Sequence, residues 1–195
     1  MPRRSDSRNR IIRSAAKLLR RQGYAATGWR QVIAESGAPW GSQAHYFPGG
    51  KQQLATEAIA HAGTAYEAML RAALSSAHPA EAVAAWADLA AAQLEASGWV
   101  DGCPVATVTL EEAASSDLLA VACHDAFSRW RAELADSFAA HAIEASEVDS
   151  LAILVLAAIE GGLLLSRAAR DQGPLRIVGA ELAKDLRHRL DPVGT

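Results

Sequence analysis

The stretch Thr27-Gly28-Trp29-Arg30-Gln31-Val32-Ile33-Ala34-Glu35-Ser36-Gly37-Ala38-Pro39-Trp40-Gly41-Ser42-Gln43-Ala44-His45-Tyr46-Phe47-Pro48-Gly49-Gly50-Lys51 decides the fold. Thr27 is a good N-cap for a short helix to about Ser36, with Val32 and Ile33 turned inward, and Gly37 ends it. Pro39 sits near the first turn of another short helix, where its missing N–H costs little, and Phe47-Pro48-Gly49-Gly50 stops it. Two short helices joined by a tight turn at Gly37 read as a helix-turn-helix, whose second helix is built to lie in a major groove. That helix lacks long aliphatic residues and expects a polar surface. Gly41 allows close backbone approach, and Ser42 reaches a phosphate or a base. Gln43 carries the paired donor and acceptor that fit adenine, and Tyr46 bonds phosphate. Trp40 offers its ring to a thymine methyl or its indole N–H to a phosphate, while His45 faces either the DNA backbone or the preceding helix. Lys51 opens the next helix, where backbone N–H groups already favour an anion.

Upstream, Ile11, Ile12, Ala15, Leu18 and Leu19 make one apolar stripe on a helix from about Ser7 to Gln22, which Gly23 stops. Arg and Lys occupy most of its other face. Charge follows the same division. Residues 1–54 carry ten Lys/Arg, among them Arg3, Arg13, Arg30 and Lys51, against Asp6 and Glu35, a net plus 8; the remaining 141 residues net minus 11. A cationic module on an acidic body is what a polyanion binder needs if one face alone is to meet its target.

Of 195 residues half are apolar, which excludes disorder, and Ala-rich segments without strand-like alternation make the chain all-α, with about nine helices. Beyond Lys51 the helices read as one long fourth helix, one from His78-Pro79 to about Ser97, and a short one from Pro104 to about Ala114. A long one follows, capped by Ser115-Ser116-Asp117 and running to about Ala145. Ser146 with Asp149 resembles a capping box for an apolar helix over 147–170, and Gly173-Pro174 opens a last helix to about Leu190. The apolar run 151–165 is interrupted by Glu160, Gly161 and Gly162, short of the about 18 uninterrupted residues of a span, so it reads as a buried helix with no membrane partner. With two cysteines and no signal peptide, a reducing, cytoplasmic setting is expected.

The residues Ile11 to Leu19, Gly23-Tyr24, Thr27, Val32-Ile33, Gly37, Gly41-Ser42, His45-Tyr46-Phe47 and Lys51 to Leu54 resemble the TetR family of bacterial transcriptional regulators. Thr27-Gly28, Gly37-Ala38-Pro39, Phe47-Pro48-Gly49-Gly50-Lys51 and Gly102-Cys103-Pro104-Val105 look like its LmrA/YxaF-type subgroup. The resemblance implies a homodimer with an N-terminal DNA-binding domain, taken as residues 1–54, and an effector-binding and dimerisation domain, residues 55–195. It also implies Thr27 as a phosphate ligand and repression of a neighbouring gene. Gln43-Ala44 departs from the subgroup's usual Leu-Tyr, and Trp40 from a commonly basic or small residue, so the operator is not transferable from a relative.

The DNA-binding set is therefore Thr27, Arg30, Pro39, Trp40, Gly41, Ser42, Gln43, His45, Tyr46 and Lys51. Tyr24 and Phe47 read as core, and Trp29 as either a staple under the helix pair or an exposed wedge. In the body, Tyr66, Met69, Trp86, Trp99, Cys103, Phe127 and Trp130 are ordinary core residues taken singly and a hydrophobic effector wall taken together. Glu160, inside an apolar helix, must pair or be neutral, as an interface group or a ligand contact. Cys103 and Cys123 read as free buried cysteines, with a redox pair as the alternative. The six histidines show no ligand spacing, and no catalytic motif is present, so neither metal, cofactor nor enzyme activity is expected.

The expected function is a ligand-responsive regulator, a repressor released from a near-palindromic double-stranded operator by a small hydrophobic effector. It dimerises through about residues 147–190, because the first of those two helices is apolar nearly all round. An activator, or a helical small-molecule binder or enzyme without sequence-specific DNA binding, is the alternative.

Overall fold

The computed structural model describes residues 4–141 and 143–191. Among the described residues there are nine helices and no strand: α1 (Arg4–Ala26), α2 (Trp29–Ser36), α3 (Ser42–Tyr46), α4 (Gly50–Ser76), α5 (Pro79–Ala96), α6 (Pro104–Glu112), α7 (Asp117–Ala139), α8 (Ala145–Ala169) and α9 (Gly173–Leu190). They form two compact units. One takes in the chain up to Ala65 together with Cys103–Phe127; the other takes in Tyr66–Gly102 and the chain from Ser128. By packing, the first unit therefore runs past residue 54 into α4 and recruits α6 and the start of α7.

In the first unit the stripe Ile11, Ile12, Ala15 and Leu19 of α1 is buried with Val32 and Ile33 of α2, Phe47, and Leu54, Ala58 and Ile59 of α4. α1 also packs along α6, which buries Val105 and Val108. Gly23 does not stop α1 outright: its backbone breaks to φ 78°, ψ −175°, a region open to glycine, and helical structure resumes to Ala26. The cap of α2 is Gly28, not Thr27. Thr27 is 4% exposed and its hydroxyl donates to the Gly23 carbonyl at 2.6 Å, because the break at Gly23 leaves that carbonyl in need of a donor. The Gln31 side chain accepts from the Gly28 N–H instead. Pro39 also precedes its helix rather than opening it. It forms a turn in which the Ser42 N–H bonds the Pro39 carbonyl, and Gly41 is the cap of α3.

In the second unit α9 packs against both α5 and α8 at small residues. A Cβ on Gly179 would lie 2.4 Å from the Ala87 Cβ of α5, and one on Gly162 would lie 2.9 Å from Leu175 Cδ1 of α9. Ser166 of α8, fully buried, accepts from the Leu175 N–H at 2.9 Å and so satisfies an orphan donor in the first turn of α9. Two helix ends differ from the sequence-based expectation. α7 stops at Ala139, short of Ala145, because the chain turns there and the His141 N–H bonds the Phe138 carbonyl. α8 starts earlier, capped at Glu144 without a side-chain bond, so Ser146 lies inside the helix and makes no capping box.

The main correction concerns α8. It is continuous through Gly161-Gly162 and, by length and composition, long and apolar enough to cross a membrane, with a mean hydropathy of 2.1. It is not buried all round within one chain. Leu151, Ala152, Val155, Leu156, Ile159 and Gly162 face inward, while Ile153, Leu154, Leu164 and Leu165 are exposed.

Candidate nucleic-acid interface

α3 buries none of its own residues; it is held in place by its flanks, Ala38 before it and Phe47 after it, both buried. The Ala38 N–H bonds Ser36 Oγ, and the Phe47 N–H bonds the Gln43 carbonyl. Trp29, half-buried, meets Phe47 in a tilted ring contact at 5.9 Å, the packing of a staple rather than of an exposed wedge, and the Arg8 guanidinium covers the Phe47 ring at 5.4 Å. The outward surface is thus left to the turn and α3. Pro39, Trp40 (59% exposed), Gly41, Ala44 and His45 are exposed, and Ser42, Gln43 and Tyr46 are half-exposed. His45 stands edge-on to Tyr46 at 4.9 Å.

Gln43 has a distinctive state. Its Oε1 is shut off from solvent without a hydrogen-bond partner among the described residues, an arrangement a turn of the amide can change. Lys51 is positioned by Tyr24: its ammonium lies 4.2 Å above that ring and donates to the Ala25 carbonyl. Burial, then Glu112, push the Tyr24 hydroxyl above its ordinary pKa, so the ring stays neutral beneath the cation. Thr27, by contrast, has its hydroxyl proton committed to the Gly23 carbonyl.

The positive excess of the first 54 residues is partly spent inside the protein. Arg8 pairs with Glu57 at 2.6 Å, Arg10 with Asp6 at 2.5 Å, and Lys17 with Glu35, whose carboxyl that bond holds below its usual range. Arg13 and Arg30 are exposed and make no ion pair among the described residues. Arg3 lies outside the described residues.

One residue that composition and spacing did not single out ties α6 to α1. Glu111 accepts from the Tyr24 N–H at 2.7 Å and the Ala25 N–H at 2.9 Å, closing the helical turn beyond Gly23. A second tie runs from Gln52 of α4 to Ser116 at 2.6 Å. The only advance signal was the lone glycine in an otherwise helical pattern.

The eight effector candidates do not share one environment. In the second unit Trp86 and Trp130 are buried, and Tyr66, Met69, Trp99 and Glu160 are half-buried; the Tyr66 and Trp130 rings meet at 5.1 Å. Cys103 and Phe127 belong to the first unit. Cys103 caps α6, accepting from the Ala106 N–H through Sγ, while burial pushes the Cys123 thiol up, which disfavours the reactive thiolate. A cavity of about 450 Å³ in the second unit is lined by none of the eight. Its wall includes Arg71, Leu74, His78, Glu133, Asp136 and His141.

Comparison with known proteins agrees with this architecture. A family profile described as the C-terminal domain of LmrA/YxaF-like transcriptional regulators matches residues 79–181. The chain is 34% identical to the HTH-type transcriptional regulator YxaF of Bacillus subtilis over 93% of its own length and 96% of that protein. It is also 34% identical to the HTH-type transcriptional regulator LmrA of the same organism, over 87% of this chain and 91% of that one. A crystal structure of the regulatory protein TetR from Rhodobacter sphaeroides superposes with a TM-score of 0.80 at 22% identity, covering 90% of this chain and 96% of that one, and so shows the same fold. With the fold, an outward-facing α3 and relatives matched over most of their length in agreement, the chain belongs to the TetR family of helix-turn-helix transcriptional regulators, as an LmrA/YxaF-like member.

Proposed function

We propose that this protein is a cytoplasmic homodimeric repressor that binds a near-palindromic double-stranded operator and is released by a small hydrophobic effector. The observation that carries the DNA-binding reading is α3, which buries none of its residues and offers Trp40, Ser42, Gln43, His45 and Tyr46 outward. In this reading Arg30 and Lys51 hold phosphates, Pro39 and Gly41 allow close approach, and Gln43 reads a base. Two copies present their α3 helices to successive major grooves about 34 to 36 Å apart. Selection of bound DNA from random sequence tests this: a two-fold symmetric motif with that half-site spacing is expected, and an asymmetric or absent motif overturns it.

Support for the dimer segment comes from α8 and α9. Ile153, Leu154, Leu164 and Leu165 of α8 and Ile177 of α9 form an exposed apolar set in the single chain. A Cβ at Gly161 would meet nothing within 4 Å, whereas Gly162 is closed against α9. Of the glycine pair, then, Gly161 is the one open to a second copy and Gly162 serves the chain's own packing. A four-helix bundle of α8 and α9 from two copies covers this surface. For the effector, Tyr66, Met69, Trp86, Trp99 and Trp130 of the second unit supply hydrophobic wall, and Glu160 either joins the interface or contacts the ligand. A coupling of about 1 to 3 kcal/mol between effector and operator is sufficient for release.

Two expected results follow for the interface. Gln43→Ala should relax preference at one base pair per half-site by about 1 to 3 kcal/mol, read in the selected motif at fixed salt; an unchanged motif means Gln43 touches no base. Lys51→Ala should reduce the slope of log affinity against log salt by about 0.9 and leave the motif intact, whereas a wild-type slope removes Lys51 from the phosphate contacts.

A further inference from the structure

We infer that His78, His141 and Asp191 form a binding site for one divalent transition-metal ion of the zinc class. Sequence spacing gave no hint of it, since the three residues come from distant points of the chain. His78 is the N-cap of α5, His141 lies just past the end of α7, and Asp191 is the C-cap of α9, all in the second unit. One donor atom from each residue lies within 4.8 Å of the others. His78 Nε2 stands 2.9 Å from Asp191 Oδ2, and His141 Nδ1 stands 3.7 Å from Asp191 Oδ1. The two imidazoles meet edge to face at 4.9 Å. Donors bonded to a tetrahedral ion at about 2.0 to 2.2 Å stand roughly 3.3 Å apart, so side-chain shifts of about an ångström close the site.

His78 Nε2 is shut off from solvent and, although near Asp191, is not aligned for a hydrogen bond. In a neutral ring whose Nδ1 accepts from the Ala80 N–H the proton sits on Nε2, facing Asp191, and an ion takes the place of that proton. Two imidazoles and a carboxylate favour zinc, cobalt or nickel over magnesium or calcium, which prefer oxygen donors. The outer partner is also in place. Glu81 Oε2 lies 3.2 Å from His78 Nδ1, and Arg187 holds the other Glu81 oxygen at 2.7 Å. Without metal, His78 Nδ1 accepts from the Ala80 N–H at 3.2 Å. With an ion on Nε2 the single imidazole proton resides on Nδ1 and is donated to Glu81, the arrangement that fixes metal-bound histidines. The fourth coordination position is left to water or to a small ligand, beside the cavity that His78 and His141 help to line. The ion then ties together the start of α5 and the ends of α7 and α9.

The test uses the full chain, freed of metal with a chelator and titrated with Co²⁺. The expected result is one Co²⁺ per chain with tetrahedral ligand-field absorption, displaced by Zn²⁺, and a thermal midpoint that rises with either ion. His141→Ala and Asp191→Asn should each weaken binding at least roughly tenfold, the lower bound seen even for outer partners. His78→Asn keeps an oxygen to cap Ala80 while removing Nε2, and should weaken binding to the same degree with helical circular dichroism unchanged. His188→Ala, on the exposed face of α9, is the control and should bind as wild type. Absence of Co²⁺ absorption in the wild type overturns the site and leaves a His–Asp ion pair closing the helix ends. Undiminished binding in His141→Ala and His78→Asn overturns it equally.

Discussion

Leu154→Arg is expected to turn the dimer into monomers and to lower operator affinity by roughly 10²- to 10⁴-fold, the range lost when two linked half-site contacts become independent. Leu154 is 49% exposed in the single chain, so the arginine meets water in a monomer and costs little there. In an α8–α9 bundle it would bury an unpaired cation in an apolar interface, a cost of several kcal/mol. Leu165→Arg should behave alike, since Leu165 is 59% exposed on the same helix. Sedimentation measures the outcome directly: monomers with wild-type helical content support the interface, and intact dimers in both variants place it elsewhere.

Gly23→Ala is expected to destabilise the first unit by about 2 to 5 kcal/mol and to weaken operator binding along with it. Two costs combine. The backbone at φ 78°, ψ −175° is strained for any residue with a Cβ, at about 1 to 3 kcal/mol. The added methyl would also overlap the Glu111 carboxylate, forcing it off the Tyr24 and Ala25 N–H groups, and two hydrogen bonds to this exposed carboxylate contribute about 0.5 to 1 kcal/mol each. Glu111→Ala alone should show the second cost without the first. The double variant should then fall short of the sum of the two singles, because the clash has no carboxylate left to displace. Additive losses, measured by denaturant unfolding, would mean that Glu111 and Gly23 act independently. The pair fixes α6 to the end of α1, next to the helix pair that includes α3.

The helix-turn-helix was legible in residues 27–51 because its signals are local: inward Val32 and Ile33, left-handed Gly37 at φ 61°, and a second helix without aliphatics. All-helical architecture was legible for the same reason, as Ala-rich segments and Pro or Gly punctuation act within a few residues of themselves. Helix ends were less so. Thr27 has the chemistry of a cap, but a hydroxyl bonds whichever orphan group the fold brings nearest, and here that is the Gly23 carbonyl. The sequence could not show that Glu111 reaches Tyr24, that Gly162 is closed by Leu175 while Gly161 stays open, or that α8 leaves Leu154 and Leu164 uncovered. Sequence periodicity reports which residues are apolar around a helix; only packing decides which of them its own chain covers. Likewise His78, His141 and Asp191 have no shared spacing, and they meet because the end of α7, the end of α9 and the start of α5 converge in space. Contacts made within one helix or turn are written in the order of the residues, and contacts between elements exist only once the chain has folded.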